Sequence, residues 1–322
     1  PPGFGLVGGD YSLYRLGQQL FEETERDLKD AARALGADDV MQAAKRIQRE
    51  HPRADELLAV YTRQMRAAHD FVAARDLVSI PASQRLDVID TPVFLRHQIP
   101  FAAYYDPAPN DPRQQGYYYV TPPQSDDELA EHEHFGLMHT CVHEAWPGHH
   151  LQFVTANRNP AARSLPRLLN ASATMYEGWA LYCEQLMHEQ GFLNAPEQRF
   201  ILLKDRLWRA LRILIDVDLH VHAVPPEDAA ARLSAVLGFP PAQARAEITW
   251  YSKAPTVPMG YATGWALINA ARDRLRTRAP VPSLKEFHDR LLSVGSIALP
   301  LVIQRAFGAD LWRTVQGMVF RA

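Results

Sequence analysis

Apolar residues recur at helical spacing through most of this 322-residue chain, and that period limits the possible folds more than any other feature. It runs over about 12–35, 39–50, 54–75, 164–190, 195–221, 226–237, 241–252, 261–276 and 283–294. Between them, Ser125-Asp126-Asp127-Glu128 has the form of a capping box, predicting a helix from there to Trp146. The period fails only where Pro81, Pro92 and Pro100 interrupt it. In that stretch 93–95, 101–105 and 116–120 are short, aromatic and β-branched and predict strands, with the Pro-rich 107–112 as a turn. The expectation is a mainly α fold: one helical domain over 1–322 with a small β element around 93–120. No repeat, low-complexity tract or linker divides it.

Composition narrows the function classes. With 47% hydrophobic and 22% charged residues the chain reads as globular, and a net charge of -3 argues against a nucleic-acid or anionic-membrane partner. Arg far outnumbers Lys, so a lone Arg carries little functional weight. No segment approaches the roughly 18 uninterrupted apolar residues of a membrane span; the most apolar C-terminal stretch, 291–303, is broken by Ser293, Gly295, Ser296 and Pro300. No signal-peptide pattern is visible at the start, but the chain opens on Pro1, so a targeting segment can lie outside it and the location stays open between cytoplasmic and exported. Cys141 and Cys183 make no disulfide framework and read as small buried hydrophobes.

The chemistry is concentrated in Cys141-Val142-His143-Glu144-Ala145-Trp146-Pro147-Gly148-His149-His150. In the zinc-peptidase pattern H-E-x-x-H, two His four apart share a helix face and hold one Zn²⁺, while the Glu acts as base for its water. Here the first half is intact, but Pro147 stands where the second His belongs. Pro lacks an amide proton and clashes with the preceding turn, so a kink or bulge is expected between Glu144 and His149 with Pro147 at its apex. A bulge absorbing two residues returns His149 to the ligand position. His150 is the alternative second ligand or substrate contact, but in an ideal helix it lies about 10 Å further along than His143. We therefore expect His149 on the metal and His150 towards the cleft.

A catalytic zinc site needs a third protein ligand and an open position. Glu177 lies in Tyr176-Glu177-Gly178-Trp179-Ala180-Leu181-Tyr182-Cys183-Glu184, among residues that would make an unpaired carboxylate costly to bury. Glu184, one heptad on, could support a ligand imidazole from behind or belong to a solvated face. Asp216 and His220, four apart on an apolar helix, read as a carboxylate orienting an imidazole or as a buried structural pair. Tyr261, after the Pro-rich 255–260, sits at a helix start where its phenol could donate to an oxyanion. His132 and His139 share the stripe of His143; His139 is a possible i−4 partner for it, but we read both as a polar helix face.

Taken together, HEAWPGHHLQ (143–152), YEGWALYCE (176–184), the D-x-x-x-H pair (216–220), the Y-x-x-G start (261–264) and FHDRLLSVGS (287–296) resemble the bacterial domain-of-unknown-function 885 family over nearly the whole chain. That family is similar to a divergent helical branch of zinc peptidases, relatives of thimet oligopeptidase and the thermostable carboxypeptidases. The resemblance implies paired ligands at His143 and His149, a base at Glu144 and a third ligand at Glu177. It also implies a C-terminal, metal-bearing portion of a longer architecture, often exported or lipid-anchored. Two positions depart from the family pattern, Trp250 for Arg and Val257 for Gln, both on the expected substrate side.

The expectation is therefore a zinc metallopeptidase acting on short peptides or amide-containing small molecules, with Glu144 as base and Tyr261 and His220 as oxyanion donors. A His/His/Glu set also accepts Mn²⁺ or Co²⁺. The rival is a metal- or peptide-binding protein on the same scaffold without turnover, and a third reading makes all these residues structural.

Overall fold

The computed structural model describes residues 10–161 and 164–320. In chain order it has α1 (Asp10–Ala34), α2 (Val40–Ile47), α3 (Leu57–Ala74), β1 (Arg85–Asp90), β2 (Ala102–Tyr105) and β3 (Gln115–Val120). Next come α4 (Asp126–Ala130), α5 (His134–Glu144), α6 (His149–Arg158), α7 (Leu165–Leu168), α8 (Ala173–Glu189) and α9 (Pro196–His220). The chain closes with α10 (Pro226–Leu237), α11 (Pro241–Lys253), α12 (Val257–Arg276), α13 (Leu284–Leu292), α14 (Leu299–Phe307) and α15 (Ala309–Val319). The fold is mainly helical with one small sheet, as the period predicts. No helix among the described residues is long and apolar enough to cross a membrane.

The buried side chains form two apolar clusters joined by α1 and α9. Leu13, Leu16 and Leu20 of α1 and Ala210, Ile213 and Val217 of α9 belong to the cluster that surrounds α5, α8 and α12. Leu28 and Ala32 of α1 and Leu207, Leu211 and Leu214 of α9 belong to the other, with α10 and α11. Cys141 and Cys183 are free and fully buried, as small core residues.

Several local expectations need correction. The strand expected at 93–95 is a single 3₁₀ turn, because Pro92 sets the backbone entering it and the Pro92 carbonyl accepts from Leu95 N at 2.8 Å. The third strand is instead β1, whose Arg-Leu-Asp-Val-Ile-Asp pairs parallel with β3, while β2 pairs antiparallel on the other side, giving the order β1-β3-β2. The helix expected from 125 to 146 starts as predicted, with Ser125 accepting from Glu128 N, but stops at Ala130. Glu133 then caps a new helix by accepting from Phe135 N and Gly136 N at 2.7 and 2.6 Å. The run 164–190 also splits, because Ser172 N turns away to bond Ser296 O at 2.8 Å.

Candidate metal centre

The interrupted motif is resolved by a loop that absorbs two residues. α5 ends at Glu144, and Ala145 leaves the helical region (φ -109, ψ -92). A cis Trp146–Pro147 peptide follows, and α6 begins at His149. Gly148 N bonds Val142 O at 3.1 Å and Leu151 N bonds Ala145 O at 3.3 Å, each six residues back rather than four. The ordinary ladder resumes with Gln152 N to Gly148 O at 3.1 Å. The loop closes tightly: a Cβ on Gly148 would sit 1.8 Å from His143 O and 2.5 Å from Val142 O, so only glycine fits. Trp179 Nε1, from α8, ties the loop down by donating to Pro147 O at 2.8 Å. The expected break at Pro147 is thus present.

This geometry brings His149 beside His143, their rings edge to face with centroids 4.8 Å apart. Glu177 reaches both from α8. Its Oε2 lies 3.4 Å from His143 Nε2 and 3.2 Å from His149 Nε2, and one donor atom from each of the three residues fits within 4.8 Å. Two donors on a tetrahedral zinc with bonds of about 2.0–2.1 Å are separated by about 3.3–3.4 Å. The two contacts match that edge. Yet Glu177 Oε2 is buried and makes no hydrogen bond, so the contacts are convergent lone pairs that protein groups leave unsatisfied. The donor set and its spacing fit a zinc ion.

The second carboxylate of α8 fixes the first imidazole. Glu184, one heptad after Glu177, places Oε1 2.7 Å from His143 Nδ1. An ionised carboxylate only accepts, so Nδ1 carries the proton and the Nε2 lone pair faces Glu177 and His149. His139 stands behind Glu184, its Nδ1 3.9 Å from Oε2 and its Nε2 3.0 Å from Gln198 O. Burial alone would raise the Glu177 carboxyl, but His149 and His143 hold it well below the usual range. Burial would lower the His143 imidazole, yet Glu177, Glu184 and Glu144 together push it up to about 10.

Tyr261 is placed by helix packing. α8 and α12 touch through glycines: a Cβ on Gly178 would lie 2.5 Å from Gly264 Cα, and one on Gly260 2.6 Å from Ala173 Cβ. This contact sets Tyr261 against Glu177; burial, then that carboxylate, push its phenol well up. Arg212 lies against the other side of the ring, 4.5 Å from its centroid, and bonds Tyr251 OH at 2.9 Å. α12 begins at Val257, one turn before the expected start at Tyr261, because Pro258 is tolerated in a first turn and Asp216 caps it. Asp216 Oδ2 accepts from Thr256 N at 3.0 Å and Met259 N at 3.4 Å, and burial raises its carboxyl to about 6. Trp250 packs 5.2 Å from the Arg212 guanidinium, and Val257 is the first residue of α12.

The structure brings together His143, His149, Glu177, Glu184 and Tyr261, with Glu144 half-buried at the last turn of α5. It does not bring His150 or His220 into the cluster. His150 is fully buried and points at the sheet, with Nδ1 3.0 Å from Tyr104 OH and Nε2 2.7 Å from Gln84 Oε1, because one residue on it is turned about 100° around α6 from His149. His220 ends α9 with Nδ1 2.9 Å from Asp216, the carboxylate that caps α12. The polar-face reading of His132 and His139 is also corrected, since both are 2% exposed. His132 lies in the break between α4 and α5, stacked on Phe101 at 4.2 Å and bonded to Tyr61 OH. His139 stands one turn before His143, and that spacing was the available signal for its contact with Glu184.

Among curated proteins no relative matches. Two solved structures share the fold, each with a TM-score of 0.81 and 24% identity. One is a candidate lipoprotein of unknown function from Shewanella oneidensis, with 93% of this chain and 57% of that one aligned. The other is a candidate lipoprotein from Colwellia psychrerythraea, with 97% and 52% aligned. The chain therefore spans little more than half the length of either. Residues 11–305 match the family model described as bacterial protein of unknown function (DUF885), and the chain belongs to that family.

Proposed function

We propose that the protein is a zinc-dependent hydrolase of peptide or amide bonds, with His143, His149 and Glu177 as the metal ligands. The observation that carries the reading is the unsatisfied Glu177 Oε2, 3.2 and 3.4 Å from two imidazole nitrogens and spaced as donors on one tetrahedral ion. Bound there, zinc would supply Lewis acidity and lower the pKa of a water in its open position. Glu144 follows a ligand residue directly, so its carboxylate takes the proton of the attacking water and delivers it to the leaving amine. Glu184 holds His143 in the tautomer that leaves Nε2 free. Tyr261, set against Glu177, donates to the oxyanion of the tetrahedral intermediate, a contact typically worth about 3–4 kcal/mol. Asp216 positions that phenol by capping α12, and His220 serves Asp216.

Short peptides are the substrates this reading favours, and the two lipoprotein-like relatives of the fold favour an exported location. Elemental analysis tests the metal: purified protein should hold about one equivalent of zinc, and Glu177→Ala should lose most of it. Digestion of a mixed peptide library tests the chemistry, since Glu144→Gln should keep the metal and abolish cleavage. Zinc retained in full by Glu177→Ala removes the ligand assignment. Stoichiometric zinc without turnover of any peptide leaves a metal- or peptide-binding protein.

A further inference from the structure

Three half-buried aromatic rings bracket the His149 imidazole, each from a different element. Tyr104 of β2 lies nearly parallel to it, 6.4 Å between centroids and 12° between planes. Phe153, one turn further along α6, is 6.1 Å away, and Tyr176, the residue before Glu177 on α8, is 6.2 Å away. Phe153 stands in the middle, 6.4 Å from Tyr104 and 6.1 Å from Tyr176, so the rings form one continuous wall beside the ligand cluster.

The wall is fixed by packing on its far side. Tyr104 OH is bonded to His150 Nδ1, and Gln84 holds His150 Nε2. Gly116 of β3 makes room for that imidazole, since a Cβ there would lie 2.8 Å from Nδ1. His150 therefore positions a ring of the wall. Ligand imidazoles need polar partners to orient them, and ring faces supply none. Three rings with part of their surface open, at the edge of a polar cluster, instead offer a preformed apolar face.

Resting on the zinc-peptidase reading, we propose that Tyr104, Phe153 and Tyr176 form the subsite for one residue flanking the scissile bond. Its occupant is a large apolar side chain, aromatic or branched aliphatic, and Phe153 sets the preference. Aromatic faces stack and exclude water at once, and such a pocket separates a large apolar group from a small one by about ten- to a hundredfold.

Two measurements on zinc-loaded protein test this. In the first, matched peptides carry Phe, Leu, Ala, Lys or Asp at each position flanking the cleaved bond. Wild type should favour Phe and Leu over Ala at one position by at least about tenfold in kcat/KM. Phe153→Ala should bring that ratio close to one by lowering kcat/KM for the Phe and Leu peptides about tenfold or more. Phe153→Leu, which keeps the volume apolar, should retain the Leu preference and show that the site still folds. A uniform loss on all peptides overturns the proposal, and so does a preference for Lys, which the exposed Asp106 after β2 would produce.

In the second, calorimetry compares phenylacetohydroxamic with acetohydroxamic acid; both bind zinc through their own oxygens without turnover. The aryl ligand should bind about tenfold tighter to wild type and equally to Phe153→Ala. Discrimination by hydroxamates with no peptide cleaved upholds the subsite and removes the peptidase reading. Equal hydroxamate binding, or cleavage with no side-chain preference at either position, removes the subsite alone.

Discussion

Replacing Gly148 by Ala adds one methyl group and should disable the proposed metal centre without touching a proposed ligand. The new Cβ would start 1.8 Å from His143 O and 2.5 Å from Val142 O, where contacts below 3.0 Å do not occur. Both obstacles are main chain, so no side chain can swing aside. The loop has to retreat from the end of α5 by about 1.2 Å, the difference between 1.8 and 3.0 Å. That movement breaks the Gly148 N to Val142 O bond of 3.1 Å and carries along His149, the next residue. Losing the bond costs about 1 kcal/mol and overpacking about 1–3 kcal/mol, so stability should fall by about 2–4 kcal/mol. Zinc donors tolerate displacement of only about 0.2 Å, so affinity should drop by at least about a hundredfold. Chelator competition reads the affinity, and urea unfolding of the metal-free protein reads the stability. Gly317→Ala in α15, where a Cβ meets nothing within 4 Å, is the control and should leave both unchanged or raise stability slightly. Wild-type zinc affinity and an unshifted unfolding midpoint in Gly148→Ala would refute the idea that this close approach sets His149.

Three further outcomes are expected. Glu184→Gln should keep the fold but weaken zinc binding about ten- to a hundredfold, because a carboxamide oxygen is a weaker acceptor for Nδ1–H and leaves the imidazole less basic; unchanged affinity in the same chelator competition would count against its supporting role. His149→Ala should strip the metal. His150→Ala should keep the metal and lose about 2–4 kcal/mol of stability on urea unfolding, as a fully buried ring with two hydrogen bonds is removed; the reverse pattern would exchange the two assignments. Burial lowers the His288 imidazole to about 4, below its ordinary 6.5, so the unfolded chain binds its proton first as pH falls. Stability from this residue is present above pH about 6.5 and drains by up to about 1.4 kcal/mol per pH unit towards pH 4, a slope His288→Gln should flatten in thermal unfolding.

Much of the site was legible because its chemistry depends on local spacing. His143 followed by Glu144 puts an imidazole and a carboxylate on one turn, the candidate ligand and base, and Pro147 with Gly148 announces a break that the backbone cannot avoid. Glu177 was legible for another local reason: a carboxylate among Met175, Tyr176, Trp179 and Leu181 requires a partner. The orientation of His150 was not legible. Whether the histidine after His149 faces a cleft or a sheet depends on what packs there, and that is Tyr104 of β2 and Gly116 of β3, distant in sequence. His139 was misjudged for the same reason, since its partners Glu184 and Gln198 come from α8 and the turn that opens α9.

The sequence by itself determined the mainly helical fold, the break after Glu144 and the residue types of the His/His/Glu cluster. Each follows from hydrophobic period, proline stereochemistry or the cost of burying charge, all of which act over a few neighbouring residues. Only the tertiary structure decided that β1 rather than 93–95 completes the sheet, that Asp216 caps α12, and that glycines bring α8 and α12 together to set Tyr261 against Glu177. These depend on pairings between segments dozens of residues apart, where the local pattern allows several outcomes and close packing selects one.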